Sequence, residues 1–149
     1  MKITALLVLK CNPEGSDPTI LANASDVTRF GYFQRPSVRE FIVFVGRTVG
    51  KRTPPGQRQS VQHEEYKVHS YNRNGLCTVG FMDDHYPVRS AFSLLNKVNC
   101  CIGNHILLGR VLLALNDKLC VQMFGLCSTL KDFVLRCANM TYNNSIFNI

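Results

Sequence analysis

Tyr66-Lys67-Val68-His69-Ser70-Tyr71-Asn72-Arg73-Asn74-Gly75-Leu76-Cys77-Thr78-Val79-Gly80-Phe81-Met82 decides the fold. Two runs rich in β-branched and aromatic residues, Tyr66 to Asn72 and Leu76 to Met82, flank an Asn-Gly pair. A tight hairpin turn needs positive φ at its centre, and Asn-Gly supplies it with little strain. The stretch therefore reads as two antiparallel strands. Upstream, Gln59 to Glu64 has strand composition and adds a third. Before it, Thr53-Pro54-Pro55-Gly56 stops a helix, because proline cannot donate to the helical ladder. That helix opens at Pro36-Ser37 and runs from Val38 to about Arg52, with Val38, Phe41, Ile42, Val45 and Val49 at helical spacing.

Further towards the N-terminus, Lys2 to Lys10 is a continuous apolar run of strand length. The cluster from Asn12 to Asp17 and Pro18 turns the chain, and Thr19 to Ala24 follows as a second strand. Downstream of the hairpin, Pro87 sits where a first helical turn tolerates a missing N–H. Val88, Ala91, Phe92, Leu94, Leu95 and Val98 form the stripe behind it. The order is strand, strand, helix, three strands, helix. Hairpin-joined strands with helices between them define an antiparallel α+β layer fold. Its core is expected to contain Leu7, Leu9, Ile42, Val45, Val79, Phe81 and Phe92.

Length and composition fit one globular domain: 149 residues, 46% of them hydrophobic. The formal net charge of +7 favours association with anionic surfaces but says nothing about fold. Seven cysteines, an odd number, in a chain without a credible secretory signal point to reduced thiols. Lys2 followed by Ile3 to Leu9 imitates a short signal peptide, yet Ala22-Asn23-Ala24 lies beyond a polar stretch, and a buried strand explains the run more simply. The sequons at Asn23, Asn139 and Asn143 then carry no weight.

Chemistry is sparse. Asp83-Asp84-His85 contains an acid, a base and potential metal ligands, but its place before Pro87 favours helix capping over catalysis. Cys100, Cys101 and His105 lack the gap that zinc ligands need between adjacent cysteines. No phosphate-cradling glycine loop, nucleophile elbow or metalloprotease histidine pair occurs. No catalytic residue, cofactor, metal or small-molecule substrate is expected. The basic loop Lys51, Arg52 and Arg58, with Arg47 nearby, lacks the interleaved aromatics of a single-strand nucleic-acid platform. A solvated connector, or weak contact with anionic lipid, suits it better than nucleic-acid recognition.

One anomaly stands on the first helix. At about 100° per residue, Val38, Ile42, Val45 and Val49 cluster while Phe44 lies about 120° from their centre, with Phe41 and Thr48 between. An exposed aromatic there is expected to line a groove beside an edge strand.

Several segments carry a resemblance: Met1-Lys2-Ile3 opening into a strand, Phe33-Gln34-Arg35, Val38-Arg39-Glu40-Phe41-Ile42-Val43-Phe44, and Asp84-His85-Tyr86-Pro87-Val88-Arg89-Ser90-Ala91-Phe92. Through about Val98 the chain resembles the longin domain of the Ykt-type R-SNARE. The resemblance implies a profilin-like α+β fold, a five-stranded antiparallel sheet with one helix on one face and two on the other. It also implies a groove between the first helix and the third strand that receives a SNARE helix. The matching positions are Phe41 and Phe44, with Val61 and His63 on the strand. Expected partners are SNARE helices or other trafficking proteins, at a cytoplasmic location, peripheral on endomembranes.

The expected division is a partial longin domain over 1–98 and a divergent, cysteine-rich apolar tail over 99–149. Cys100, Cys101, Cys120, Cys127 and Cys137 all fall in that tail. The resemblance would require completion of the second helix, a third helix, a SNARE helix and a prenylation motif, and the tail matches none of them; Ile146-Phe147-Asn148-Ile149 is not a prenylation motif. Ile106 to Leu115 and Leu119 to Leu135 are apolar but interrupted by charge below the length of a membrane span. Ile106, Leu107, Val111, Leu112 and Leu115 are expected to dock in place of the family's last helix, so that this helix is non-native or missing. Lys97-Val98-Asn99 is compatible with the codons AAG GTA AAT, which contain a splice-donor GT. Translation of a retained intron or shifted frame from Asn99 is the expectation.

Overall fold

The computed structural model describes residues 3–12 and 15–113. In chain order it contains β1 (Ile3–Lys10), β2 (Thr19–Ser25), α1 (Arg35–Arg52), β3 (Arg58–His63), β4 (Tyr66–Arg73), β5 (Leu76–Asp83) and α2 (Val88–Leu113). The strands form one sheet in the order β2-β1-β5-β4-β3, and every neighbouring pair is antiparallel. This is the α+β architecture expected, a five-stranded antiparallel sheet with a helix on each face.

The Asn-Gly turn behaves as its composition dictates. Asn74 and Gly75 take φ of 53° and 86°, and the Asn72 side chain accepts the Gly75 N–H at 3.1 Å. Pairing then runs in register from Arg73↔Leu76 to Tyr66↔Asp83. A second tight turn at Glu64-Glu65 joins β3 to β4 and holds Glu64 at φ 52°.

β1 and β5 lie in the middle of the sheet and are covered on both faces, which is why their sequences are apolar without strict alternation. Alternate residues feed two separate cores. On the α1 face, Ala5, Leu7, Leu9, Val68, Val79 and Phe81 pack with Ile42 and Val49. On the opposite face, Leu6, Val8 and Met82 pack with Leu94, Leu95, Val98 and Ile102 of α2. Of the expected core, Leu7, Leu9, Ile42, Val79 and Phe81 are buried, while Val45 and Phe92 are half-buried at the margins.

Two boundaries differ from the sequence reading. α1 begins at Arg35 because Gln34 already has helical dihedrals and Pro36 occupies the first turn, where its missing N–H costs nothing. α2 continues past Val98 to Leu113. Its stripe continues too: Asn99 and Ile102 are buried, and Asn99 Nδ2 donates to the carbonyls of Tyr71 and Leu76, both at 3.2 Å. The backbone of 106–113 therefore belongs to α2. The packing of Ile106, Leu107, Val111 and Leu112, all of Leu115 and the Leu119 to Leu135 run lie outside the described residues. Among the described residues, no helix is long and apolar enough to cross a membrane.

Candidate functional site

The site is set by how closely α1 approaches the sheet. Gly46 and Gly50, one turn apart, are both buried. A Cβ at Gly46 would stand 2.9 Å from Leu7 Cδ2, and one at Gly50 would stand 2.7 Å from Leu9 Cδ1. Two missing side chains thus let the helix backbone settle onto β1. The buried stripe becomes Ile42, Gly46, Val49 and Gly50, rotated from the valine-rich stripe that hydrophobicity alone selects.

That rotation sorts the aromatics. At about 100° per residue, Phe41 lies about 125° from the centre of the buried stripe and Phe44 about 175°. Phe41 is 46% exposed and sets its ring against His63, with centroids 5.2 Å apart and planes at 60°. Val61 and His63 alternate on β3 and share the face that looks towards α1; Val61 pairs with Val68 of the α1-side core. β3 is an edge strand with one side unpaired. The structure brings Phe41 and His63 into contact, with the exposed Val61 beside them. Phe44, 69% exposed, stands on the outward ridge of α1, about 60° beyond Phe41.

A buried polar network holds the two walls of this groove in place. Thr53 Oγ1 donates to the Val49 carbonyl at 2.8 Å and lies 2.6 Å from Ser70 Oγ and 3.1 Å from Gln59 Oε1. Asn72 Nδ2 donates to the Thr53 carbonyl at 2.9 Å, and the Asn72 carbonyl accepts the Gly56 N–H at 2.7 Å. The end of α1 and the start of β3 are therefore fastened to β4. Misplacing either wall would strand buried polar groups.

The basic loop does not act as one patch. Lys51 pairs with Asp17 at 3.0 Å, and Arg52 stays on α1. Arg58 begins β3 on the opposite face of the pleat, its guanidinium 5.1 Å from the Tyr71 ring centroid and 5.5 Å from that of Phe92. The bases that gather with Lys51 and Arg52 are Arg39 and Arg47, around an open concavity of about 780 Å³ that Val43 and Phe44 also line.

Other ionisable groups are structural. Asp84 pairs with Lys67 of β4 at 3.0 Å, and that hydrogen bond holds its carboxyl below the usual range. His69 is fully buried, its Nδ1 2.8 Å from Ser60 Oγ and its ring edge on Phe92. Burial first, and Lys67 second, push its pKa down, so the ring is held neutral. The buried Cys77 thiol is pushed up to about 12 by burial, with Cys11 adding to the effect. Cys100 Sγ accepts an Arg73 N–H at 2.6 Å. The Cys101 and His105 side chains lie outside the described residues. Among the described residues, no group of three His, Cys, Asp or Glu side chains is placed to hold a metal.

Sequence reasoning missed the glycines, although their four-residue spacing was visible, because a hydrophobic stripe is scored by what is apolar and not by what is absent. It also passed over Tyr32 and Phe33, 76% and 91% exposed, with their rings 5.6 Å apart at the head of α1.

A helix on each face of a five-stranded antiparallel sheet is the architecture of a longin domain, and here the first helix lies beside an edge strand. A family profile for the longin, or regulated-SNARE-like, domain matches residues 27–100, and that part of the chain is a longin domain. Within it the resemblance is to the Ykt-type R-SNAREs. The chain is 85% identical over 98 residues to VAMP-like protein YKT61 of Arabidopsis thaliana, covering 66% of this chain and 49% of that protein. Identity is 74% over 100 residues to VAMP-like protein YKT62 of the same plant, covering 66% and 50%. It is 44% over 99 residues to the synaptobrevin homolog ykt6 of Schizosaccharomyces pombe, covering 66% and 49%. The chain spans about half the length of these curated relatives.

Proposed function

We propose that this chain is a non-enzymatic longin module of vesicle-mediated membrane trafficking that binds the apolar face of a SNARE helix, or of a related trafficking partner, in the groove between α1 and β3. It works at the cytoplasmic side, peripheral to endomembranes. Phe41 and Val61 form the floor, His63 closes one end and Phe44 stands at the outer rim. The observation that carries the reading is the half-exposed Phe41 ring held against His63 on an edge strand. Such a shallow apolar slot between rigid elements suits an amphipathic helix. The relatives, two VAMP-like proteins and a synaptobrevin homolog, supply the partner class.

The test is titration of a SNARE-helix peptide into the full chain by calorimetry. Phe41→Ala, paired with Val61→Ser, is expected to weaken binding at least about ten-fold, since buried aromatic anchors dominate such interfaces. Unchanged affinity in a folded double variant overturns the proposal.

The packing of α2 continues past the end of the longin region at about Val98, since Asn99 and Ile102 are buried like the residues before them. Residues from Asn99 onward come from a retained intron or shifted frame and have no fusion role, so Asn99 and Ile102 are tail residues that pack as part of α2. Transcript sequence continuous through the codons for Lys97 to Asn99 in every isoform would remove that part.

A further inference from the structure

We propose that the outward face of α1 is a docking surface for an anionic phospholipid bilayer, sharing only Phe44 with the groove. Three observations on one helix carry this. Phe44 and Val43 line an open concavity together with Arg39, Arg47, Lys51 and Arg52. Tyr32 and Phe33 stand largely exposed just before the same helix, touching each other, with the Arg35 guanidinium 6.0 Å from the Tyr32 ring centroid. The charge is one-sided: Glu40 and Asp17 are the acids lining the concavity, Asp17 is occupied by Lys51, and Arg39, Arg47 and Arg52 make no ion pair among the described residues.

The shape selects the occupant. α1 spans Arg35–Arg52, about 27 Å at 1.5 Å per residue, and the aromatic and basic groups are spread along that length. A small anion would need convergent donors in a closed pocket, whereas this strip is open and extended. A flat partner satisfies it. Aromatic rings settle at the headgroup level of a bilayer, and arginines beside them meet lipid phosphates and serine carboxylates. A neutral surface would leave the arginines without counter-charge, and an acidic protein helix would leave the rings at Tyr32 and Phe33 wet. With the helix axis in the membrane plane, the sheet lies behind α1 and the groove beside β3 opens to one side, free to hold its own partner.

Flotation of the full chain with lipid vesicles tests this. Wild type is expected to float with vesicles of phosphatidylcholine containing phosphatidylserine, to ignore pure phosphatidylcholine, and to be released as salt rises above about 0.5 M, where charges are screened within a few ångströms. Arg39→Ala with Arg47→Ala should lower partitioning about 25-fold, about five-fold for each base removed from an anionic surface. Phe33→Ser should weaken binding while leaving its salt dependence intact, and Phe41→Ala should leave flotation unchanged. No flotation, equal binding to neutral vesicles, or full binding by the double arginine variant overturns the proposal. Capture of polyglutamate in place of vesicles, lost in the arginine variant, overturns it equally and assigns the face to an acidic protein.

Discussion

Truncating Ile102 to alanine asks whether α2 beyond Val98 is part of the domain. Ile102 is 1% exposed in the core formed with Leu94, Leu95 and Val98. Removing its three outer carbons costs the lost transfer energy plus the cavity, about 2 to 5 kcal/mol for such sites. Alanine's better helix propensity returns only about 0.5 kcal/mol. Asn99→Ala removes two 3.2 Å hydrogen bonds to the β4–β5 hairpin, each worth about 1 kcal/mol net. The same change also removes Asn99 Oδ1, which is buried without a partner among the described residues, so the net loss is about 1 kcal/mol. The double variant should lose about 3 to 5 kcal/mol, a large share of the 5 to 15 kcal/mol a domain usually has. With no tryptophan in the chain, urea unfolding is followed by far-ultraviolet circular dichroism. Lys97→Ala, at an exposed position on the same helix, is the control and should stay within about 0.5 kcal/mol. If Ile102→Ala and Asn99→Ala match that control, the helix past Val98 is not packed and the assignment of its residues to the core is wrong.

Gly50→Ala should destabilise by about 1 kcal/mol, because overpacking against the fully buried Leu9 costs about 1 to 3 kcal/mol and exceeds the helix-propensity gain of about 1 kcal/mol; a raised melting temperature would show that Leu9 moves aside. Phe44→Ala, on the exposed ridge, should shift stability by under about 0.5 kcal/mol, and a large loss on thermal melting would place that ring in the core. His69 has a lowered pKa when folded, so between that value and its ordinary 6.5 the unfolded chain binds more protons, and stability should fall as pH drops below about 6.5. Urea midpoints at a series of pH values above 5 check this, and a flat profile, or an unchanged slope in His69→Gln, counts against it. Cys77, with its thiol pushed up to about 12 and fully buried, should resist iodoacetamide at pH 8 until urea unfolds the chain. Mass spectrometry showing native labelling of Cys77 as fast as Cys100 would contradict that.

Local chemistry was legible wherever it is dictated by neighbours along the chain. Asn74-Gly75 forces a hairpin because few other pairs accept two positive φ angles, and the hairpin in turn fixes the pairing of β4 with β5. The apolar run of β1 signalled a buried strand, and Thr53-Pro54-Pro55-Gly56 ended α1. An exposed aromatic set off the helical stripe was legible too, and it motivates the proposed groove. Which aromatic enters it did not follow, since that depends on the rotation of α1 about its own axis.

That rotation was decided in three dimensions. Gly46 and Gly50 contribute no hydrophobicity, yet they allow the closest approach to Leu7 and Leu9, so the helix turns them inward and carries Phe41 towards His63 and Phe44 outward. The pleat likewise separated Arg58 from Lys51 and Arg52, neighbours in sequence that end on different faces of the sheet. Asn99 reads as the first residue of an unrelated tail, and only its bonds to Tyr71 and Leu76 place it in the core. Sequence determined which segments are strands and helices and which of their faces are apolar, because those depend on period and turn chemistry. The tertiary structure decided which face of α1 meets the sheet and where α2 stops belonging to the core, because both are settled by contacts between residues far apart in the chain.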